Sequence, residues 1–245
     1  MSQPMLSILV TGSNQGLGFE ACRHLAKLAH VHLFVCGRDE TRVQEAVQRL
    51  KQDEDSEAKI DSVIMDITND PSIRAAVADV DAKLGGVALD VLVNNAAVSF
   101  EHEIDSERAN TRSVFERTFA VNAFGTAIVS EAFLPLLKRS TAGPRIVNVG
   151  SGGGSCTNCC KAGYTVNLMV YKASKSALNS ITISLALANP DIHVVVLCPG
   201  RNKTRMNIYG GGVEASEGCK VIVDYALERK GKSPGFYNAQ GELPW

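Results

Sequence analysis

Thr11-Gly12-Ser13-Asn14-Gln15-Gly16-Leu17-Gly18 comes directly after the apolar run Leu6–Val10 and leads into an amphipathic stretch, Leu17–Leu28. In that order the residues spell a strand, a glycine turn and the start of a helix. Glycines let a backbone come close to a phosphate, and a helix N-terminus offers unpaired N–H groups at the positive end of its dipole. The spacing is G-x-x-x-G-x-G rather than the G-x-G-x-x-G of the dinucleotide fingerprint. Alone, the turn therefore fits a plain bend as well as a phosphate cradle; the pattern of the downstream chain favours the cradle.

Downstream, short apolar runs at Val31–Cys36, Ile60–Met65, Leu89–Val93, Arg145–Val149 and Ile192–Cys198 alternate with helical patterns. The helical patterns are Glu40–Leu50, Pro71–Leu84, Val114–Lys138 and Tyr171–Ala188. Runs that are apolar throughout, rather than alternately, suit strands buried on both faces. The alternation predicts an α/β fold: a parallel sheet between two layers of helices. Lys51–Lys59 reads as a solvated turn. After the sixth strand come a flexible segment at about Arg201–Glu214, a helix at roughly Ala215–Arg229 and an edge strand near Pro234–Tyr237. One domain, 1–245, is expected.

The chain has 245 residues, with 25 Lys and Arg against 26 Asp and Glu. This balance argues against a sequence-independent nucleic-acid binder and gives no reason to invoke an anionic membrane surface. No unbroken apolar run approaches the ~20 residues of a membrane span, and Met1–Met5 lacks the basic n-region of a secretory signal. Of the seven cysteines, Cys22, Cys36 and Cys198 sit in apolar periodic stretches. A reducing, cytoplasmic setting is expected.

Several strand ends carry residues with chemical potential. The second strand ends Cys36-Gly37-Arg38, and Arg38 can pair with a 2′-phosphate where an acidic residue would select NAD, although Asp39 comes next. Asp66-Ile67 succeeds the third strand; Asp66 can accept from an adenine amino group or cap the next helix. Asn94-Asn95-Ala96-Ala97 succeeds the fourth and suits a backbone passing near a flat ligand. Asn122 lies inside the long helical stretch, at a cost in helix propensity. Ser151 projects from the end of the fifth strand, the edge where ligands of open α/β sheets bind. Tyr171 and Lys175 share a helix face at i, i+4. Lowering a phenol from about 10 to about 7 needs roughly 4 kcal/mol. Lys175 in a dehydrated pocket, beside an oxidised nicotinamide, could supply it.

Taken together and in this order, Thr11–Gly18, Asn94–Ala97, Asn122, Ser151, Tyr171–Lys175 and Pro199-Gly200 resemble the short-chain dehydrogenase/reductase family. The tail Gly235–Asn238 through Leu243-Pro244-Trp245 is similar to that of its carbonyl-reductase-like members. The resemblance implies a single Rossmann-type domain, a doubly wound parallel sheet in three layers, and NAD(P)-dependent oxidoreduction. It implies Tyr171 as acid or base and Lys175 as the group that lowers its pKa and holds the nicotinamide ribose. Ser151 would bond the substrate oxygen, and Asn122 would hold a water of the proton relay. Gly12, Ser13, Asn14 and Leu17 would surround the pyrophosphate, Asp66 and Ile67 the adenine, and Asn95 and Ala96 the adenosine ribose. Thr204 would meet the nicotinamide end. With Arg38, the expected cofactor is NADP(H), and no metal is expected.

The chain departs from the family pattern at Ala97, usually Gly, and at polar Asn202. The Ser151-to-Tyr171 interval is also long. The shorter spacing would land near Tyr164, but Leu168 stands at its i+4, so Tyr171 is taken as the catalytic residue. The extra residues predict an enlarged substrate loop at about 152–170, with Cys156, Cys159 and Cys160 in it, and a lid at about 201–214. Pocket candidates are Val98, Ser99, Phe100, Gly152, Tyr164, Met169, Met206 and Tyr209, mostly apolar or aromatic. They point to an apolar ketone, aldehyde or quinone as the partner molecule. Two other readings stay open: a dehydratase or epimerase on the same fold, and a cofactor-binding sensor without turnover. The family often pairs through the two long helices, which leaves a homo-oligomer open.

Overall fold

Leu6–Val10 (β1) is buried at all five positions, because both faces of the strand are covered by helices. The computed structural model describes residues 4–103, 111–161, 168–207 and 210–245. After β1 come α1 (Gly16–Leu25), β2 (Val31–Gly37), α2 (Glu40–Lys51), β3 (Lys59–Ile64), α3 (Asp70–Leu84) and β4 (Val91–Asn94). Next along the chain are α4 (Thr111–Phe119), a π-helical turn (Ala120–Gly125), α5 (Thr126–Leu137), β5 (Arg145–Val149), α6 (Cys156–Cys159), α7 (Met169–Ala188) and β6 (His193–Leu197). The last part holds β7 (Asn202–Lys203), β8 (Val213–Glu214), α8 (Ala215–Gly218), α9 (Lys220–Leu227), β9 (Gly235–Asn238) and β10 (Gly241–Glu242).

The main sheet runs β10-β9-β6-β5-β4-β1-β2-β3. All pairs are parallel except β9 with β10. This is the doubly wound Rossmann-type arrangement. The direction of winding reverses between β1 and β4, and a crevice opens there at the carboxyl ends of the strands. One core layer joins Phe19, Leu25, Val43, Leu50, Ile222 and Tyr225 to the sheet. The other joins Ile73, Val80, Val129, Phe133, Leu136 and Leu185.

Three expectations need correction. The segment near Pro234–Tyr237 is not the edge: β10 adds outside β9, because a turn at Asn238 folds the chain back antiparallel. The helix expected at Ala215–Arg229 is two helices that stop at Leu227. The two ends of the segment 201–214 are tied by a two-strand ladder, with the Val213 amide donating to the Arg201 carbonyl at 3.0 Å, while residues 208 and 209 lie outside the described residues. Separately, the helical stretch Thr111–Leu137 is long and apolar enough by length and composition to cross a membrane, a test that the core helix of a sheet fold also passes. Half of its most apolar window is buried inside the protein, Val129 and Phe133 facing the core.

Candidate active site

The glycine turn is shaped for close approach. Gly12 and Gly16 both have left-handed backbone, at φ +62° and +59°. A Cβ on Gly12 would stand 2.8 Å from the Cα of Ala96, so the two loops touch backbone to backbone. Asn95 pins this contact: its Nδ2 donates to the carbonyls of Thr11 (2.9 Å) and Gly12 (3.1 Å). The Thr11 hydroxyl in turn accepts from the amides of Asn95 and Ala96. Gln15, at the N-cap of α1, makes no side-chain capping bond. The first-turn amides of that ten-residue helix are thus left to an anion or to water. Thr204 lies over the turn, with its Cγ2 3.8 Å from where a Cβ on Gly16 would be.

Other candidates of this half are more committed than the sequence suggested. Ser13 is fully buried; its hydroxyl donates to the Val10 carbonyl at 2.7 Å and accepts from the Cys36 amide at 2.9 Å, tying β1 to β2. Asn14 is half-buried beside Gly37, and Leu17 packs partly into the core. Ile67 belongs to the core, its carbonyl 2.6 Å from where a Cβ on Gly125 would stand. Asp66 accepts from the Thr68 amide and hydroxyl, while the cap of α3 is Asn69. Arg38 is exposed at the end of β2. The doubtful neighbour Asp39 accepts from the Arg42 amide at 3.0 Å as the N-cap of α2.

At the other side of the crevice, Ser151 and the Tyr171–Lys175 pair come together. The Ser151 side chain stands near enough to the Tyr171 hydroxyl to favour its ionised form. Lys175 is 2% exposed; its ammonium lies 5.8 Å from the centroid of the Tyr171 ring and donates to the Val149 carbonyl at 2.8 Å. Gly152–Gly154 forms a single 3-10 turn held flat against α7. A Cβ on Gly154 would meet the Lys175 carbonyl at 2.8 Å, and Asn179 and Ser176 both donate to the Gly154 carbonyl. So the described start of the enlarged loop is anchored. All seven cysteines are unpaired.

The electrostatics run against the simplest expectation. Burial pushes the Tyr171 phenol up to about 12, with Cys198 and Glu101 adding to the rise and Ser151 opposing it. Burial pushes the Lys175 ammonium down to about 8. The chain's own groups therefore keep the phenol protonated.

Asn122 occupies the π-helical turn and is fully buried. Its Oδ1 accepts from the Val98 amide at 2.8 Å; its Nδ2 donates to the Val98 carbonyl at 2.8 Å and to the Ser174 hydroxyl at 3.0 Å. Both amide hydrogens are thus used, so a relay water would have to meet the backbone rather than this side chain. The sequence reading missed two further features. One is a buried polar chain: Asn94 donates to Ser130 and Asn148, and Asn148 donates to Thr182. The other is Glu101, whose carboxylate accepts from the Tyr171 amide at 2.5 Å. Of the pocket candidates, Phe100 lies under the Arg117 guanidinium, 4.5 Å from its ring centroid, and Met169 and Met206 are exposed. Tyr164 and Tyr209 fall outside the described residues.

The chain belongs to the short-chain dehydrogenase family, whose model matches residues 7–210. Its relatives sharpen the placement. A short-chain dehydrogenase/reductase of Aspergillus fumigatus is 34% identical, over 97% of each chain. Salutaridine reductase of Papaver bracteatum is 29% identical, over 98% of this chain and 96% of the relative. Among solved structures, NADPH-bound carbonyl reductase from chicken fatty liver superposes with a TM-score of 0.82 at 28% identity, covering 99% of this chain and 100% of that one. The carbonyl reductase Sniffer of D. melanogaster gives 0.81 at 28% identity, over 98% and 100%.

Proposed function

We propose that this oxidoreductase is an NADPH-dependent carbonyl reductase acting on an apolar ketone, aldehyde or quinone. The observation that carries the reading is the meeting of Ser151, Tyr171 and buried Lys175 across one crevice from a glycine cradle. The cradle fits a dinucleotide: Gly12 and Ala96 leave no room for side chains, and the start of α1 has amides to spare. Gly12, Asn14, Leu17 and the backbone of Ser13 would hold the pyrophosphate. Asp66, Ile67, Asn95 and Ala96 would flank the adenosine, and Thr204 would close over the turn. Exposed Arg38 would take a 2′-phosphate, because Asp39 is spent on the helix cap.

NADPH, when bound in this cradle, would supply the hydride for the carbonyl carbon. The Ser151 hydroxyl donates to the carbonyl oxygen and orients it. Tyr171 gives the same oxygen its proton, and the alcohol forms. A phenol held protonated by burial suits a donor in this direction. The Lys175 cation stabilises the tyrosinate left behind until it is reprotonated. Asn122 holds Val98 and Ser174 and so fixes the wall beside the reacting carbon. The described pocket candidates Val98, Phe100, Met169 and Met206 are apolar and favour an apolar substrate.

The test is NADPH oxidation against a small set of ketones, aldehydes and quinones. Turnover that disappears in Tyr171→Phe supports the reading. NADPH binding without turnover on any carbonyl would instead favour a sensor, and product without net cofactor oxidation a dehydratase or epimerase.

A further inference from the structure

Among the described residues, the first turn of α7 has no local side-chain cap. Leu168, at the N-cap, has left-handed backbone (φ 65°, ψ 44°) and contributes no side-chain capping bond, and the first turn contains no acidic residue. A left-handed conformation costs an L-residue roughly 1–2 kcal/mol, and bare first-turn amides add to the cost. The missing acceptor comes from 70 residues away. Glu101 stands in a 3-10 turn, Glu101–Glu103, reached from the end of β4. Its Oε1 accepts from the amide of Tyr171 itself, and its Oε2 accepts from the Ser99 hydroxyl at 2.9 Å. Ser99 adjoins Val98, which Asn122 clamps through both backbone atoms. One carboxylate therefore joins the wall of the crevice to the backbone of the residue that carries the phenol.

We propose that Glu101 is a positioning residue for Tyr171: it caps the catalytic helix from outside and sets where the phenol stands. This rests on the reading of Tyr171 as proton donor. The groups acting on the phenol come from each side. Ser151 lies just past β5, Cys198 just past β6, Lys175 is one turn along α7, and Glu101 comes from the loop after β4. Arg117 of α4 is taken up by Glu103. Glu101 is thus the carboxylate that reaches the Tyr171 backbone, and its charge also opposes ionisation of the ring hydroxyl.

Glu101→Gln keeps an acceptor for the Tyr171 amide and removes the charge; Glu101→Ala removes both. Two measurements are made on the full chain: kcat and KM for carbonyl reduction, and titration of the Tyr171 phenol by tyrosinate absorbance, taken as the difference from Tyr171→Phe. In Glu101→Ala, kcat should fall about tenfold or more with the KM for NADPH little changed, as expected when a reacting group is misplaced. Glu101→Gln should recover most of that kcat while its phenol titrates lower than in wild type. The proposal is overturned if Glu101→Ala keeps the wild-type kcat, or if Glu101→Gln titrates like wild type. The titration needs no turnover, so it judges Glu101 even if no carbonyl is reduced; loss of the reductase reading shows separately, as activity that Tyr171→Phe leaves intact.

Discussion

The two sides of the crevice are built on opposite terms. On the glycine-turn side, the polar side chains are satisfied within the chain and only the first-turn amides of α1 are left over: Ser13 ties β1 to β2, Asn95 staples the turn, and Asp39 and Asn69 cap helices. On the Tyr171 side, a lysine is buried against its preference for charge beside a phenol that burial keeps neutral, and the helix that carries them starts at a strained leucine. The first side gains stability by its bonding. The second gives some up by holding a lysine cation out of water.

The sharpest break between the two sides should come from Tyr171→Phe. With no proton donor, kcat for carbonyl reduction should drop by about a hundredfold or more, while the melting temperature stays near wild type or rises. A fall in stability equal to the loss of activity would erase the contrast.

Lys175→Met tests the same side for stored cost. The folded-state pKa of about 8 lies below the ordinary 10.5, so the charged lysine destabilises the fold. That penalty is full below about pH 8 and fades as pH rises toward 10.5. It amounts to on the order of 3 kcal/mol by linkage, less what is lost with the bond to Val149. Lys175→Met should be inactive yet melt several degrees higher at about pH 7, and its advantage over wild type should shrink between pH 8 and 10.5. Thermal melts at three pH values check this.

Gly12→Ala should do the reverse. A methyl there meets Ala96 at 2.8 Å on a left-handed backbone, costing at least about 1 kcal/mol from the backbone alone. It should lower the melting temperature and weaken NADPH binding together, measured by melts and by cofactor fluorescence titration. The smallest effect belongs to the rim: Arg38→Ala should weaken NADPH about tenfold, the scale of one charge-assisted contact, and leave NADH unchanged. Equal effects on both cofactors would remove the basis for the NADPH preference.

Much of this was legible in the chain. β1 and β5 fall at their expected residues because a strand buried on both faces is a local apolar run. Tyr171 and Lys175 share a helix face because about 3.6 residues per turn place i and i+4 together. The glycine turn was readable because its conformational demand is local. Element ends were less so. The split between α8 and α9, and the β10 strand outside β9, depend on how the tail folds back over β6.

What the sequence by itself determined is the alternation, the order of the strand-end residues and the spacing of the reactive pair. The tertiary structure alone decided the uses to which those residues are put. It made Asp39 a cap rather than a ribose ligand, took both amide hydrogens of Asn122, and brought Glu101 to the Tyr171 backbone across 70 residues. It also set the directions of the Tyr171 and Lys175 shifts, since desolvation depends on everything packed around a group and not on its neighbours in the chain.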